Sequence, residues 1–174
     1  MRYLGIDTGK GGYVAILEET QISKTTTKWR IDFYPCPTVR VGTKTNKKDY
    51  LEREMANLIP DKDVAMAVLE KGILMGKEGI SSAQSIGIGE GIWRGILASK
   101  GVPYMVIHPI IWKKEIMKGM AIATKDPTQR SIQMAQRLFP DVDLRASERC
   151  RKPSKDKADA VLLALYGYRI GGKK

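Results

Sequence analysis

Arg2 to Val14 reads RYLGIDTGKGGYV, a short apolar run that stops at Asp7 and passes into a turn containing Gly9, Gly11 and Gly12. Tyr3, Leu4 and Ile6 on one side and Tyr13 to Leu17 on the other have the composition of strands. Thr8 to Gly12 supplies the turn residues of a hairpin with a wide connection. An acid at the end of such a strand faces open space above a sheet. Aspartate is also an ordinary turn residue that bonds its own backbone, so the role of Asp7 depends on partners elsewhere in the chain.

Working outward, Trp29 to Tyr34 (WRIDFY) predicts a third strand ended by Pro35 and Pro37, so the first three strands run as a meander. Val39 to Lys48 reads as a polar, basic connection. Tyr50, Leu51, Met55, Leu58 and Ile59 recur at helical spacing, with Asn46 as cap and Pro60 as stop. Val64 to Leu69 (VAMAVL) is apolar on both faces, the pattern of a strand inside a sheet, and it ends in Glu70. After a glycine-bounded loop from Ile73 to Gly79, a long helix capped by Ser81 or Ser82 is predicted to reach Lys100 and close at Gly101. Gly87, Gly89, Gly91 and Gly95 should each cost that helix about 1 kcal/mol relative to Ala, so something is expected to approach its backbone closely.

Pro103 to His108 predicts another buried strand, with His108 in a structural role, and Trp112 to Lys118 a short helix. Asp126 caps and Pro127 opens a helix whose stripe is Ile132, Met134, Ala135 and Leu138, stopping at Pro140. A polar, basic loop from Asp141 to Pro153 leads into a last helix from about Ser154 through AVLLALYGY. The expectation is one domain over residues 1–170 and a frayed tail at 171–174.

Thirty Lys plus Arg against nineteen Asp plus Glu leave a net charge of +11, so a polyanion is the expected partner, nucleic acid ahead of an acidic membrane surface. No apolar run approaches the ~20 residues needed to span a bilayer, and no membrane partner is expected. The first residues enter a strand directly, so no signal peptide is expected. Cys36 and Cys150 show neither a CxxC spacing nor a nearby pair of histidines, which predicts free thiols, a reducing compartment and no zinc.

Four acids then stand at element ends: Asp7, Glu70, and Asp156 with Asp159, the last two sharing a helical face by their i, i+3 spacing. Phosphodiester cleavage with two metal ions needs several carboxylates around cations ~3.5–4 Å apart, and hard oxygen ligands suit Mg²⁺. For Asp156 and Asp159 the alternative is favourable charge at a helix N-terminus. Asp159 precedes an almost wholly apolar run, which favours the ligand reading.

GIDTGKGG, VLEK and KADAVLLALYG resemble the three signature segments of the RuvC family of Holliday-junction resolvases. SIGIGEGIWRGIL, IIWKKEI and the TKD at Thr124 to Asp126 also have counterparts in its phage and chloroplast branch. The resemblance implies a ribonuclease H-like α/β fold: a five-stranded mixed sheet, three strands antiparallel and then parallel strands, with helices on both faces. It implies that Asp7, Glu70, Asp156 and Asp159 bind two Mg²⁺ ions, replaceable by Mn²⁺, at the scissile phosphate. Lys125 and Lys113 match family lysines that contact that phosphate. It further implies a homodimer that nicks two strands of like polarity in branched DNA, the four-way junction, with the glycine-rich helix at the pairing face. A helicase partner is neither implied nor excluded.

Ile73, Leu74 and Met75 stand where bacterial members carry aromatic side chains that probe the junction, and apolar wedges of this kind can also unstack bases. Arg145, Arg149, Arg151, Lys152, Lys155 and Lys157 read as a flap on the phosphate backbone. The cytoplasm of a bacterial or phage-infected cell is the expected location, and an organellar origin is compatible.

Three rival readings stand beside this one. DTGKGG would also serve a phosphotransferase of the actin, sugar-kinase and heat-shock ATPase group, but that group closes two such domains over its nucleotide and 174 residues supply one. A non-catalytic nucleic-acid binder would not need all four acids. Another metal-dependent nuclease of the same fold, cutting flaps, hybrids or single strands, is separated only by experiment.

Overall fold

The computed structural model describes residues 1–21, 27–42, 47–73, 79–119 and 126–171. Its main sheet has strands β1 (Arg2–Ile6), β2 (Tyr13–Gln21), β3 (Thr27–Pro35), β6 (Val64–Glu70) and β7 (Tyr104–Ile107) in the spatial order β3-β2-β1-β6-β7. β1, β2 and β3 pair antiparallel, whereas β1–β6 and β6–β7 are parallel. The mixed sheet expected from the sequence is therefore present.

Helices cover both faces. Leu4, Ile6, Ala67 and Leu69 pack with Met55 of α1 (Glu52–Leu58) and with Trp93 and Leu97 of α2 (Ile80–Ser99). Tyr3, Ala15, Leu17 and Val68 pack on the other face. Their partners include Trp112 of α3 (Pro109–Ile116), Ile132 of α4 (Pro127–Leu138) and Leu162 of α5 (Lys155–Gly171). The apolar residues of β1 and β6 thus divide between two cores by the period-2 alternation of a strand.

Gly5 marks the tightest point. A Cβ there would run into the carbonyl oxygen of Ala160 and lie 2.9 Å from Cβ of Leu163, so α5 lies with its backbone directly on β1. Only a residue without a side chain permits that approach.

Several boundaries differ from the sequence expectation. The stretch Val39 to Lys48 is not a plain connection: Thr38–Arg40 (β4) and Lys48–Tyr50 (β5) form a separate antiparallel ribbon. Tyr50 belongs to β5 because its buried ring extends a hydroxyl that donates to the carbonyls of Ser85, at 3.2 Å, and Thr8, at 3.5 Å. α1 consequently starts only after Leu51, without a side-chain cap. Asn46, expected to cap it, lies outside the described residues.

α2 is capped by Gly79, whose carbonyl accepts the amides of Ser82 and Ala83, rather than by Ser81 or Ser82. α3 begins at Pro109, earlier than the Trp112 start, because the His108 ring accepts the Ile110 amide at 3.3 Å. That is the structural role expected of His108. Asp126 caps α4 through the Thr128 amide at 2.9 Å, as its sequence signal indicated. Trp93 and Trp112 are fully buried core residues, and Cys36 and Cys150 are free thiols.

Gly5→Ala should force α5 away from β1 and cost about 3 kcal/mol, the upper end for overpacking a core. Thermal melts would then fall by roughly 6–12 °C for a chain of this size. An unchanged melting temperature would contradict the backbone contact.

Candidate active site

The parallel register aligns Ile6 with Leu69, so Asp7 and Glu70, each one residue further on, emerge side by side at the same edge of neighbouring strands. Side chains alternate along a strand. Gly5 and Val68 meet α5, and Asp7 and Glu70, two residues later in each case, are turned to that same face. α5 brings Asp156 and Asp159 to this edge in its first two turns.

The turn after β1 is shaped around Asp7. Its amide donates to the Tyr13 carbonyl at 3.0 Å and the Gly12 amide donates to Gly9 O at 2.9 Å, while Asp7 Oδ1 accepts the Gly9 amide at 3.4 Å. A Cβ on Gly12 would collide with the Asp7 carbonyl. Thr8 is buried and donates its hydroxyl to the Glu70 carbonyl at 3.3 Å, which ties the two strand ends together. Between them opens a cleft of about 220 Å³ lined by Asp7, Thr8, Glu70, Ile73, Ile86 and Lys155 among others.

The electrostatics are those of crowded carboxylates. Burial, then the Asp156 charge, pushes Asp7 up to about 6 despite the Gly9 hydrogen bond. Burial, then Asp159, pushes Glu70 up to about 7 against the pull of Lys113. Asp156 is raised by burial as well.

Asp159 is fully buried, and its Oδ2 is held by Lys155 Nζ at 2.8 Å and Lys113 Nζ at 3.1 Å. Its Oδ1 is buried without a partner among the described residues. Burial depresses Lys155 more than any one neighbour lifts it, but Asp159, Glu70 and Asp7 together carry it above its ordinary value.

Among the described residues, no three acid, imidazole or thiolate groups stand close enough to cage an ion as they are. In donor chemistry the residues do fit a hard divalent cation. The donors are all carboxylate oxygens, one buried oxygen lacks a partner among the described residues, and the acids repel one another in a way that a cation would relieve.

The chain aligns over its length with solved structures. Thermus thermophilus RuvC matches with a TM-score of 0.54 at 18% identity, covering 99% of this chain and 97% of that one. The same bacterium's RuvC in complex with Holliday junction substrate matches with a TM-score of 0.56 at 14% identity, covering 99% and 96%. The fold is that of RuvC. A yeast mitochondrial Holliday junction resolvase matches more loosely, with a TM-score of 0.48 at 13% identity over 97% of this chain and 78% of that one. No family model and no curated protein matches the sequence.

On this RuvC-type sheet the other expected site residues are placed as follows. Lys113 is inside the site. Lys155 is not on the flap: it opens α5 and turns inward to Asp159, because the i, i+4 spacing stacks the two on one face. Arg149, Arg151 and Lys152 are exposed on the loop before α5. Arg145 and Lys157 are each engaged within the protein. Arg145 forms a two-pronged pair with Asp143, with Nε and Nη2 both 2.9 Å from its oxygens. Lys157 donates to Arg145 O at 2.6 Å and lies over the Tyr13 and Phe33 rings. Ile73 is half-buried at the cleft. Lys125, Leu74 and Met75 lie outside the described residues.

Sequence reasoning missed Gly5, Thr8 and Tyr50. Gly5 carried a signal, since a glycine between Leu4 and Ile6 in a strand marks a close backbone approach. Thr8 and Tyr50 carried none, because their bonds join residues far apart in the chain. Of the four helix glycines expected to meet something, Gly89 does: a Cβ there would strike Tyr50 and the Thr8 carbonyl. Among the described residues, a Cβ at Gly87, Gly91 or Gly95 would meet nothing within 4 Å.

Asp7 and Glu70 bind protons more tightly folded than unfolded, where they titrate near 3.8 and 4.5. Their favourable contribution is therefore complete below about pH 4 and is lost as pH rises through about 6 to 7, each tenfold difference in proton affinity being worth about 1.4 kcal/mol. In EDTA, the Asp7→Asn/Glu70→Gln double variant should gain stability relative to the parent as pH goes from 5 to 8, read as a growing gap in melting temperature. A gap independent of pH would show that the two acids are not strained by their surroundings.

Proposed function

We propose that this protein is a structure-selective endonuclease that resolves four-way DNA junctions by paired, symmetric nicks. The observation that carries the reading is the convergence of Asp7, Glu70, Asp156 and Asp159 at one edge of a RuvC-type sheet, with burial and mutual repulsion raising three of the four. That the T. thermophilus RuvC it resembles was solved with Holliday junction substrate supports the choice of DNA form. The net charge of +11 supports a polyanionic partner.

In this reading the four acids hold two Mg²⁺ ions, with Mn²⁺ able to replace them. Such ions supply an activated water and stabilise charge on the leaving oxygen. The chain's own residues do the rest. Asp7 and Glu70 are presented by paired strand ends and Asp156 and Asp159 by the first turns of a buried helix, so the donors are mounted on rigid elements. Lys113 and Lys155 hold Asp159 in place and bring positive charge to the cleft where a phosphate would lie. Lys125 acts beside them on the phosphate, as the family resemblance implies. Arg149, Arg151 and Lys152 contact the DNA backbone outside the cleft.

The active form is a homodimer. The outward face of α2, where Gly87, Gly91 and Gly95 recur beside exposed Ile80 and Ile88, supports this as the pairing surface. The cellular setting proposed is the cytoplasm of a bacterial or phage-infected cell.

The deciding experiment offers a mobile four-way junction, a linear duplex, a flap and an RNA–DNA hybrid, each with Mg²⁺ or EDTA. Metal-dependent paired nicks confined to the junction are expected, and equal cutting of linear duplex would overturn the reading. Asp7→Asn should lower cleavage about 10²-fold or more while junction binding in EDTA is retained or tightened. Cleavage near the parent rate would remove Asp7 from the chemistry. Replacing Arg149, Arg151 and Lys152 together by alanine should flatten the slope of log K against log salt by about 2–3. An unchanged slope would take this loop off the DNA.

A further inference from the structure

The turn that follows Glu70 is held by α2. The Gly72 amide donates to Glu90 Oε2 at 3.3 Å, and Glu90 Oε1 lies 3.3 Å from Nη1 of Arg94 one turn further along. The Arg94 guanidinium also lies beside Tyr104 of β7. One turn before Glu90, Ile86 packs so closely on Gly72 that a Cβ at that glycine would collide with its Cγ2. From the opposite side, the Lys71 amide donates to the Ile107 carbonyl at 2.8 Å. The two peptides after Glu70 are therefore clamped between α2 and β7, while the Glu70 carbonyl accepts from Thr8.

Glu90 is out of place as a solvating surface residue. Its side chain is only 18% exposed, although it is a carboxylate on a helix with an open outer face. Its two oxygens are divided between a backbone amide in the turn and the Arg94 guanidinium.

We propose that Glu90 is a positioning residue: by fixing the Gly72 amide it sets the course of the chain leaving Glu70, and so the aim of the Glu70 carboxylate into the cleft. This rests on the reading of Glu70 as a metal-binding acid. Gly72 is the matching half of the device, since a Cβ there would collide with Cγ2 of Ile86, one turn before Glu90.

The test uses Mn²⁺ as probe, titrated calorimetrically into the whole protein, alongside junction binding in EDTA and thermal melts. Glu90→Ala should weaken Mn²⁺ binding about tenfold, as removal of a partner behind a ligand does. Glu90→Gln keeps an amide oxygen for the Gly72 N–H and should stay within about threefold of the parent. Junction binding in EDTA should change less than about twofold in either. A role in stability alone would lower the melting temperature and leave Mn²⁺ affinity of the folded protein unchanged, and that result overturns the proposal, as does an equal loss in the Ala and Gln variants. Gly72→Ala approaches the same turn from its other side and should weaken Mn²⁺ binding to a similar extent, so it decides the matter if Glu90→Ala does not fold. A parent protein that binds no Mn²⁺ would remove both this proposal and the reading of Glu70. A parent that binds it, with Glu90→Ala indistinguishable, would remove this proposal alone.

Discussion

Helix α5 lies on strand β1 at backbone distance, with Gly5 against the Ala160 carbonyl, and the geometry of the strand ends follows from that contact. Every side chain larger than hydrogen at position 5 would lift the helix. Because Asp159 immediately precedes Ala160, the close approach also sets how far Asp156 and Asp159 stand from Asp7. Gly167 and Gly171 continue the same accommodation along the helix, where Val68 and Tyr3 come against it. A buried helix held this closely cannot shift its acids to suit a neighbour, because packing of this density has no slack. Asp7, Glu70 and Asp156 are consequently crowded by the core, and their raised proton affinities record that crowding.

The charges at this edge are arranged in opposition. Burying a carboxylate as completely as Asp159 is unfavourable unless it is paired, and two lysines supply the pairing through one of its oxygens. Lys155 comes from the same helix and Lys113 from α3, so the pairing also joins two elements. The other oxygen is a buried acceptor with no partner among the described residues, and a hard cation would satisfy it. Asp7 and Glu70 make no ion pair of this kind among the described residues and instead take up protons more readily. A cationic protein therefore keeps an acidic point at the centre of the surface proposed to meet DNA.

The second face of the sheet has a different task. Tyr50, buried beneath the β4–β5 ribbon, reaches both Thr8 and Ser85 and so links the turn after β1 to α2. Gly89 makes room for that hydroxyl. Glu90 and Ile86 then link α2 to the turn after β6. The two acidic strand ends are thus each tied to α2, the helix whose outward glycines make it the proposed pairing surface.

Much of the architecture was legible in the residues alone. The alternation and length of apolar runs marked β1, β2, β3, β6 and β7, and the Asp126–Pro127 signal marked the start of α4, because these depend on a few neighbouring residues. The four acids were legible as charges at element ends: Asp7 and Glu70 close apolar strands, and Asp156 and Asp159 open the last helix, Asp159 just before its apolar run. The chain alone could not show that Lys155 turns inward while Arg149, Arg151 and Lys152 face out, although all four lie in one basic stretch. It could not show that Tyr50 ends a strand instead of starting a helix, or that Glu90 faces a turn eighteen residues away in sequence. Those outcomes depend on which atoms meet across the fold, where burial and pairing outweigh local preference, and only the tertiary structure decides them.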